Sequence, residues 1–571
     1  MQIVEPIGEL SPLVVHAGSS KWDLPWLRSY APGVPFSIEY PDVPVFSLLE
    51  EAGRRWGDRT AAICFESRMN FAELVTKSYQ FAHAIQSLGV KRSQRVGLLL
   101  PNVPEYMIAL HGLWMAGATA VQLSPLMVEE EIAKLLDITD CRIVVTLDIL
   151  TPPLRGLLGR GKLEHLIVGS LEHRLGMVER WLYPIALLRR GVPMRNGKNG
   201  TIDFEEFIRS QPTHPVRVRI QPDRDPALIQ PTGGTTGSPK CVVLTHRNLL
   251  ANALQLKAWN AGVEGKDVSI AVVPYFHCYG LTVVMLASIT SASTQVLCPK
   301  FKPATVAKLI ERYRPTMLPA VPALYVAMNE YLAKHPIDLS SIELSCSAAS
   351  GLPAEVRRQF ESFGARNLVE AYGLSEASPA THVNPLQQGN RPGTVGLPLP
   401  DTIARIVDLE TGQKNLPPGE PGELAIRGPQ VMAGYLDDAA ATAQTIRDGW
   451  LFTGDIATYD SDGFFKIVDR KKDLIKTSGY NVYPIEVEEV IRKIPNVSDV
   501  AVVGMPDREK GELVKAYIIP KPDSGLTAAT VEQFCREHLA KHKQPRQIEL
   551  CTELPRNFLG KVLRRHLRDP Q

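Results

Sequence analysis

Several patterns that would define a protein class at once are missing from this 571-residue sequence. Its eight cysteines lie far apart, none forms a CxxC pair, and no HExxH occurs. This spacing argues against a disulfide framework and a structural zinc site, and it favours a reducing cytoplasm. Basic and acidic residues nearly balance, at a net charge of +2, so composition gives no bias towards nucleic acid.

A long uninterrupted hydrophobic run is missing as well. The most apolar stretch, residues 281–298, is broken by serine and threonine and is interpreted as a buried helix followed by a strand. The first twenty residues contain Glu5 and Glu9 without a basic start, which is not typical of a secretory signal. The length exceeds what one hydrophobic core holds, so we expect two or more domains.

Short apolar runs alternate with helical patterns through most of the chain. In residues 303–313, apolar side chains recur at i, i+3, i+4 and i+7, which predicts a helix, and residues 353–363 predict another. Runs such as 269–274 and 294–299 predict buried strands. The alternation predicts an α/β protein with buried, largely parallel sheets.

The pattern changes past about residue 390, where dense Gly, Pro and Asp predict a β-rich subdomain of short strands. Further on, Pro484 is placed as the first residue of a helix, and acids follow in the early turns, where the helix dipole favours them. Two strands and a helix come next, which predicts a compact α+β unit of roughly a hundred residues. We therefore divide the chain into domains 1–470 and 471–571.

Residues 231–240, PTGGTTGSPK, gather the groups that a phosphate ligand needs. The glycines let the backbone approach a ligand, hydroxyls surround them, and Lys240 supplies a point charge. The stretch is not a Walker A loop, because Pro239 precedes the lysine and Cys241 follows it. Strand-like residues on both sides predict a loop between two strands; alone, the stretch also fits a flexible turn. The candidate phosphate-binding residues are Thr232, Gly233, Gly234, Thr235, Thr236, Gly237 and Lys240.

Six motifs in a fixed order carry a resemblance to a known superfamily. They are PTGGTTGSPKCVVLTHRN, PYFHCYGL, EAYGLSEASP, GWLFTGD, DRKKDLIKTSGYNVYPIEVE and PRNFLGK. From about Val45 to Lys561, the chain resembles the adenylate-forming superfamily of acyl-CoA synthetases, peptide-synthetase adenylation domains and firefly luciferase. The TGGTTG form, residues 22–45 and the length look most like bacterial long-chain fatty acid–CoA ligases. The resemblance implies stacked α/β sheets in the large domain and a mobile C-terminal domain.

The resemblance implies a two-step reaction that uses ATP, Mg²⁺ and CoA. A free carboxylate resists acyl transfer because its leaving group would be oxide. Attack on the α-phosphate of ATP gives an acyl-AMP, from which a thiol can displace AMP. Since the first step brings a carboxylate against a polyanionic triphosphate, catalysis is mostly positioning and charge stabilisation.

Most of the nucleotide-binding residues implied by the resemblance lie in the large domain. The loop at 232–240 would hold the β- and γ-phosphates, and Glu376 would ligate Mg²⁺ with Thr232. The carboxylate of a second acidic residue, Asp455, would accept hydrogen bonds from the ribose hydroxyls. The remaining implied residues are Tyr372 and Gly373 at the adenine, Ser375 where the family more often has Thr, and Arg470 at the ribose or phosphate.

Other implied residues act where the two domains meet. Lys561 would bridge the α-phosphate and the substrate carboxylate after domain closure, and His277 would lie beside that carboxylate. Lys472 matches the hinge about which the C-terminal domain then rotates. In the second pose, the segment around Lys476, Gly479 and Tyr480 would line the pantetheine channel, with Asn481 nearby.

The acyl pocket is expected after His277 and around residues 345–356, where the chain has SAASGLP in place of the more common SGGAPLP. Residues 175–191 combine Trp181 and Tyr183 with aliphatic residues and flanking arginines. This insert has two interpretations, packing in the core or resting on an anionic membrane surface. A cytoplasmic protein, with or without peripheral membrane contact, and a homodimer both remain open.

Four functions remain open from the sequence. The first is a fatty acid–CoA ligase. The second is an acyl-AMP ligase that transfers to a carrier protein, and the third is a ligase for aryl or shorter acids. The fourth is a nucleotide-binding scaffold without catalysis, against which the presence of Lys240, Glu376, Asp455, Arg470 and Lys561 argues.

Overall fold

The computed structural model describes residues 24–175, 177–189, 200–232, 239–260, 264–478, 480–556 and 561–568. The predicted site residues Gly233, Gly234, Thr235, Thr236, Gly237 and Gly479 lie outside these ranges, as do the first twenty residues. Within the described ranges, the helices are all too short or too polar to cross a membrane.

Two large sheets form the body of the molecule. The first has nine strands, parallel through its centre and antiparallel at both edges. In spatial order its strands are Leu397–Pro398, Ala380–Val383, Leu368–Gly373, Leu344–Ser347, Met317–Ala320, Val268–Ala271, Thr294–Leu297, Thr60–Cys64 and Ser67–Asn70.

The second large sheet has eight strands and the same mixed character, with an antiparallel hairpin towards one edge. Two of its central strands, Thr119–Gln122 and Ile143–Leu147, are buried at every residue, as expected for parallel strands covered on both faces. In spatial order its strands are Gly434–Tyr435, Lys240–Thr245, Pro226–Thr232, Thr119–Gln122, Arg95–Leu99, Ile143–Leu147, His165–Gly169 and Thr201–Asp203.

A fully buried helix joins the two sheets. All twelve residues of Pro104–Met115 are buried, which is typical of a helix in the centre of a large core. Its Tyr106 donates a hydrogen bond to the carbonyl of Tyr275 at 2.8 Å, and its Trp114 donates one to the carbonyl of Ala227 at 2.8 Å. These bonds fix the strand ends of both sheets against one another.

The other helices cover the two sheets and the C-terminal unit. The longer ones are Ser47–Trp56, Phe71–Ser87, Glu129–Thr139, Met177–Arg189, His246–Asn260, Pro303–Tyr313, Pro322–Leu332, Ala354–Ser362 and Ala528–His538. A π-helix, Tyr279–Leu286, continues as Ala287–Thr290. The shorter elements are Pro25–Ser29, Asp148–Leu150, Pro152–Arg155, Glu172–Arg174, Phe204–Arg209, Ser375–Ala377, Ala439–Thr445, Lys471–Asp473, Pro484–Ile491 and Arg565–Arg568.

Two smaller sheets follow along the chain, and they confirm the predicted β-rich subdomain and α+β unit. The third sheet consists of Ile403–Val407, Gly422–Arg427, Trp450–Tyr459, Ile446–Arg447 and Phe465–Arg470. The fourth consists of Tyr480–Val482, Ile475–Thr477, Gly511–Pro520, Val497–Asp507 and Gln547–Leu550. The fourth sheet packs around its own hydrophobic cluster, whose buried residues run from Ile475 to Cys535. The domain boundary between residues 470 and 471 stays a prediction.

The predicted α/β fold is confirmed, although the strands predicted in 269–274 and 294–299 end earlier, as Val268–Ala271 and Thr294–Leu297. The helix predicted over 303–313 is Pro303–Tyr313, and Pro484 begins the helix Pro484–Ile491. The apolar stretch 281–298 is a buried helix followed by the strand Thr294–Leu297. All eight cysteines are free, and seven of them are buried.

Candidate active site

A cavity of about 440 Å³ lies between the two large sheets, the β-rich subdomain and the C-terminal segment. It is bounded by the end of the strand Pro226–Thr232, the turn after Val268–Ala271 and the end of Leu368–Gly373. Eight of the residues singled out in the sequence line it together: Thr232, His277, Tyr372, Gly373, Ser375, Glu376, Arg470 and Lys561. The structure thus gathers residues that are up to 329 positions apart in the chain.

One wall of the cavity is an ordered cluster of Tyr372, Asp455 and Arg470. Asp455 and Arg470 are direct partners on neighbouring antiparallel strands, and their side chains pair at 3.0 Å. The Tyr372 hydroxyl donates to the other oxygen of Asp455 at 2.6 Å. Asp455 is only 3% exposed and lies behind the other two side chains. Burial, and then the neighbouring Asp455, raise the pKa of Tyr372 well above its ordinary value, so the phenol remains a neutral donor.

Gly373 allows two stretches of backbone to lie close together beside this wall. A Cβ at this position would lie 2.3 Å from the carbonyl oxygen of Pro379, a backbone atom that cannot move away easily. Only glycine permits so close an approach between the two strands. The short helix Ser375–Ala377 follows directly and brings Ser375 and Glu376 to the cavity.

Glu376 has a partner that the sequence motifs did not single out. The hydroxyl of Tyr435 donates to Oε1 of Glu376 at 2.8 Å. The ammonium of Lys240 lies 4.8 Å from the centre of the same Tyr435 ring, which is the geometry of a cation–π contact. The sequence signal for Tyr435 is weak: the residue lies in a Gly-Tyr pair after the third sheet begins, and only folding places its strand beside Lys240–Thr245.

The candidate phosphate loop begins and ends in one hairpin. Thr232 and Lys240 are paired residues at the open end of the strands Pro226–Thr232 and Lys240–Thr245. The Thr232 hydroxyl also donates to the carbonyl of Lys240 at 3.2 Å. The prediction that this loop joins two strands is confirmed.

His277 and Lys561 approach the cavity from opposite domains. Burial lowers the pKa of His277 to about 4, so the ring is neutral near pH 7 and its Nδ1 accepts a hydrogen bond from the backbone of Tyr279 at 3.2 Å. Burial also lowers the pKa of Lys561, to about 8, and the nearby Arg470 adds to the shift. A cation in this environment gains strongly from an incoming anion.

An apolar arm extends the cavity away from the polar wall. Tyr279, Val283, Ala287 and Ser291 line it at intervals of four residues, which places them along one stripe of a continuous helical segment. We use the term acyl arm for the part lined by Leu256, Trp259, Val283, Ala287, Met317 and Leu344. The predicted stretch 345–356 contributes Cys346, Ala348 and Ala349 to the cavity. Sequence analysis missed Trp259, Met317 and Leu344, which belong to no motif.

Comparison with known proteins identifies the family. Residues 49–436 match the model of the AMP-binding enzyme family, and residues 486–561 match its AMP-binding enzyme C-terminal domain. The chain belongs to the AMP-binding enzyme family. The "Long-chain-fatty-acid--CoA ligase" of Bacillus subtilis (strain 168) is 38% identical over 546 residues, covering 95% of this chain and 97% of the relative. The enzyme of the same name from Salmonella typhimurium is 36% identical over 559 residues, covering 95% of this chain and 98% of that one.

Solved structures of related enzymes have the same fold. ATP-bound MatB from Rhodopseudomonas palustris superposes with a TM-score of 0.81 at 26% identity, covering 92% of this chain and 98% of that chain. The anthranilate CoA ligase AuaEII in complex with anthranoyl-AMP gives 0.79 at 26% identity, covering 93% and 97%.

Five described residues of the predicted site of this AMP-binding enzyme do not line the cavity: Lys240 and Asp455, whose contacts are given above, and Lys472, Lys476 and Tyr480 of the C-terminal unit. Lys472 lies in the short helix Lys471–Asp473, and burial lowers its pKa, with Arg470 contributing. Lys476 is exposed on the strand Ile475–Thr477. Tyr480 is 58% exposed, and its ring stacks on His542 at 4.6 Å. This arrangement agrees with the first of the two predicted poses, in which Lys561 is at the cavity.

The oxygen donors of this AMP-binding enzyme fit a magnesium ion. Glu376 offers a carboxylate and Thr232 a hydroxyl, and both line the cavity. Mg²⁺ prefers oxygen ligands and is often held by one or two carboxylates together with substrate phosphates and water. The hydrogen bond from Tyr435 would orient the Glu376 carboxylate towards such an ion.

Proposed function

We propose that the protein is an AMP-forming long-chain fatty acid–CoA ligase. The observation that carries this proposal is a cavity that joins a charged wall suited to a nucleotide with the apolar acyl arm and has Lys561 on its lining. The near full-length similarity to long-chain fatty acid–CoA ligases supports the same substrate class. ATP and CoA are the co-substrates.

In the first step, a carboxylate oxygen attacks the α-phosphorus of ATP, the α–β bond breaks and pyrophosphate leaves. Lys561 would pair with the α-phosphate and the attacking carboxylate, and so reduce the repulsion between two anions. Arg470, held by Asp455, would add a second fixed cation. His277 would lie beside the carboxylate as a neutral ring, so it would not form a second ion pair with that carboxylate.

We further propose that Lys240 and the loop after Thr232 hold the terminal phosphates, while Glu376 and Thr232 hold Mg²⁺. When bound, the ion would neutralise the developing charge on pyrophosphate. Tyr372 and Gly373 would flank the adenine, and Asp455 would accept hydrogen bonds from the ribose if its contact with Tyr372 rearranged. Ser375 would supply a hydroxyl at the same wall.

In the second step, the CoA thiolate attacks the acyl carbon and AMP leaves, after the thiol has lost its proton. The division into domains 1–470 and 471–571 belongs to this proposal, because the hairpin with Lys476 and Tyr480 must reach the cavity. Lys472 would be the hinge residue, and Gly479 would allow close approach of the pantetheine. The exposure of Lys476 and Tyr480 in the present pose leaves them available for that role.

The test is incubation with ATP, Mg²⁺, CoA and straight-chain acids of graded length, with benzoate as an aryl acid. We expect AMP, pyrophosphate and acyl-CoA in equal amounts, with the highest kcat/KM for long chains. Pyrophosphate without thioester would indicate transfer to a carrier protein, and a preference for the aryl or short acids would assign the substrate to those classes. If neither pyrophosphate nor acyl-CoA formed, only the nucleotide-binding function would remain.

We also propose that the insert contacts a membrane surface, since its helix Met177–Arg189 presents apolar side chains to solvent. Trp181 is 82% exposed, and Leu182 and Ile185 are about half exposed, while Tyr183 is buried and donates to Asp148 at 2.6 Å. Core packing and surface exposure thus alternate along the same helix. We propose that the surface contacted by this helix is a lipid bilayer, because a bilayer also supplies the proposed substrate. Cosedimentation with anionic vesicles should fall in Trp181→Ala and stay unchanged in Tyr331→Phe, whereas equal binding by both would reject this contact.

We also propose that the protein forms a homodimer and lies in the cytoplasm. Sedimentation of the purified protein decides the first, and fractionation of the producing cell decides the second. Neither changes the chemistry proposed for the cavity.

A further inference from the structure

Asp469 occupies an unusual position next to Arg470. It lies near the end of the strand Phe465–Arg470, where the β-rich subdomain meets the C-terminal unit, and its side chain is 2% exposed. One carboxylate oxygen accepts the backbone N–H of Ile485 at 2.9 Å. The other oxygen lies 3.4 Å from a guanidinium nitrogen of Arg564. Both of these partners belong to the C-terminal unit.

Arg564 follows Lys561 by three residues, so its position fixes the short segment that carries the cavity lysine. Its guanidinium donates to Oε1 of Glu488 at 2.7 Å and lies 3.6 Å from Asp473. Glu488 in turn accepts the backbone N–H of Val502 at 2.9 Å. Glu488 therefore holds Arg564 within the C-terminal unit, and Asp469 is the partner on the other side of the predicted boundary.

The same C-terminal segment also holds the predicted hinge. Arg568 donates to the carbonyl oxygens of Lys472 and Asp473, at 3.1 and 3.2 Å. Asp473 follows the predicted hinge and would move together with Arg568, so a rotation at Lys472 need not break that bond, whereas it would separate Asp469 from Arg564 and Ile485. The contacts of Asp469 are the stronger constraint, because a buried carboxylate that loses its partners is costly.

We propose that Asp469 is a positioning residue, whose contacts with Arg564 and the backbone of Ile485 latch the C-terminal unit in the pose that places Lys561 at the cavity. This inference rests on the proposed function, since it assumes a second pose for thioester formation. Bringing Lys476 and Tyr480 to the cavity would carry Arg564 and Ile485 away from Asp469. The strength of these contacts would then set the fraction of enzyme molecules in the pose for each half-reaction.

Asp469→Asn tests this latch with little change in shape. The amide oxygen can still accept from Ile485, and Arg564 keeps Glu488. The variant loses the charge that crosses the boundary and also the oxygen that accepts the backbone N–H of Arg470 at 2.7 Å, a contact on the large-domain side of the boundary. We expect acid-dependent ATP–pyrophosphate exchange to fall about tenfold. Thioester formation from supplied acyl-AMP and CoA should be unchanged or faster. A structural role alone would lower both half-reactions together.

Arg564→Lys is the second variant, for use if Asp469→Asn does not fold. Lysine can keep the contact with Glu488 but cannot span both acids with one planar fork, so exchange should again fall more than thioester formation. Glu532→Gln is the matched control, because it breaks an exposed Arg536 ion pair on the same unit and should leave both half-reactions unchanged. Equal losses in the two half-reactions, or no loss in either, would overturn the proposal.

A distance measurement gives a readout that does not depend on turnover. Dyes on cysteines placed at the exposed Gln359 and Lys521, with Cys551→Ser, would report the distance between one point on each unit. In Asp469→Asn, energy transfer should move towards the value of the unsubstituted protein bound to a non-reactive acyl-adenylate analogue and CoA. A transfer efficiency equal to that of the ligand-free unsubstituted protein would contradict the latch. If the unsubstituted protein shows no exchange at all, the proposed function fails instead.

Discussion

The two ends of the cavity are built differently. At the nucleotide end, each charged side chain has a specific partner: Asp455 is paired with Arg470, and Glu376 is hydrogen-bonded by Tyr435. At the acyl arm, apolar side chains such as Trp259, Met317 and Leu344 form the lining. The first arrangement fixes directions, whereas the second only excludes water and sets a shape.

This difference explains which end can be recognised in a sequence. Binding of phosphate and ribose needs particular residue types at fixed places, so the nucleotide end can be recognised from sequence motifs. An alkyl chain needs only apolar surface and room, so many combinations of side chains serve. Substitutions at the nucleotide end should therefore change the rate with every acid, and substitutions in the acyl arm should change the choice of acid.

The largest effect is expected for Lys561→Ala. Adenylation should fall about 10²- to 10³-fold with every acid, because a cation at the α-phosphate is lost. Thioester formation from supplied acyl-AMP should fall much less. Pyrophosphate exchange and single-turnover thioester assays measure the two steps, with exposed Lys521→Ala as the control. Equal losses in both steps would contradict the role given to Lys561.

The next largest effect is expected at the other end of the cavity, for Ala287→Phe in the acyl arm. Ala287 lies two intervals along the helical stripe from Tyr279, so a phenyl ring there should shorten the acyl arm. We expect kcat/KM for a C16 acid to fall roughly 30-fold, with a C8 acid changed about twofold or less. Ala287→Gly, which adds no volume, is the matched control. A uniform loss across chain lengths would show that Ala287 does not limit depth.

A smaller effect is expected for Tyr435→Phe, which removes the hydroxyl that orients Glu376 and keeps the ring beside Lys240. The Mg²⁺ concentration for half-maximal exchange should rise about tenfold, as for other residues that orient a metal ligand. Calorimetric binding of a non-hydrolysable ATP analogue at graded Mg²⁺ should show the same shift without turnover. Tyr331→Phe is the control, and an unchanged Mg²⁺ dependence would contradict the proposed orientation.

The smallest effect is a change in pH dependence. The pKa of Lys561 is lowered to about 8, so the charged form is lost as pH rises through that value. We expect kcat/KM for adenylation, which reports the free enzyme, to decline above about pH 8. Lys561→Arg should lower the rate and move this decline to higher pH, since guanidinium stays charged. An identical alkaline limb in both proteins would assign the limb to another group.

Much of the fold was predictable because its signals are local. The helix Pro303–Tyr313 has apolar side chains at helical spacing and a proline at its start, and both are visible in the chain. The acidic partner of Arg470 was also predictable as a site residue, though not as its direct cross-strand neighbour. The motifs identified the residues of the nucleotide end but not the contacts between their side chains.

What could not be predicted depends on long-range packing. Tyr435 meets Glu376 only because the strand Gly434–Tyr435 pairs with Lys240–Thr245, and no local pattern specifies that pairing. Trp259 lines the cavity from the last turn of a helix whose sequence fits the core equally well. Such residues become functional candidates only when the fold places them beside the motif residues.

In the proposed mechanism, a cation from the C-terminal segment meets a carboxylate and a nucleotide in one cavity. The most direct test of this mechanism is exchange of labelled pyrophosphate into ATP with Mg²⁺ and a C16 acid, in the absence of CoA. We predict exchange that requires the acid and is nearly lost in Lys561→Ala. Absence of exchange with straight-chain acids from C8 to C18 and with benzoate, in protein that still binds ATP, would contradict it.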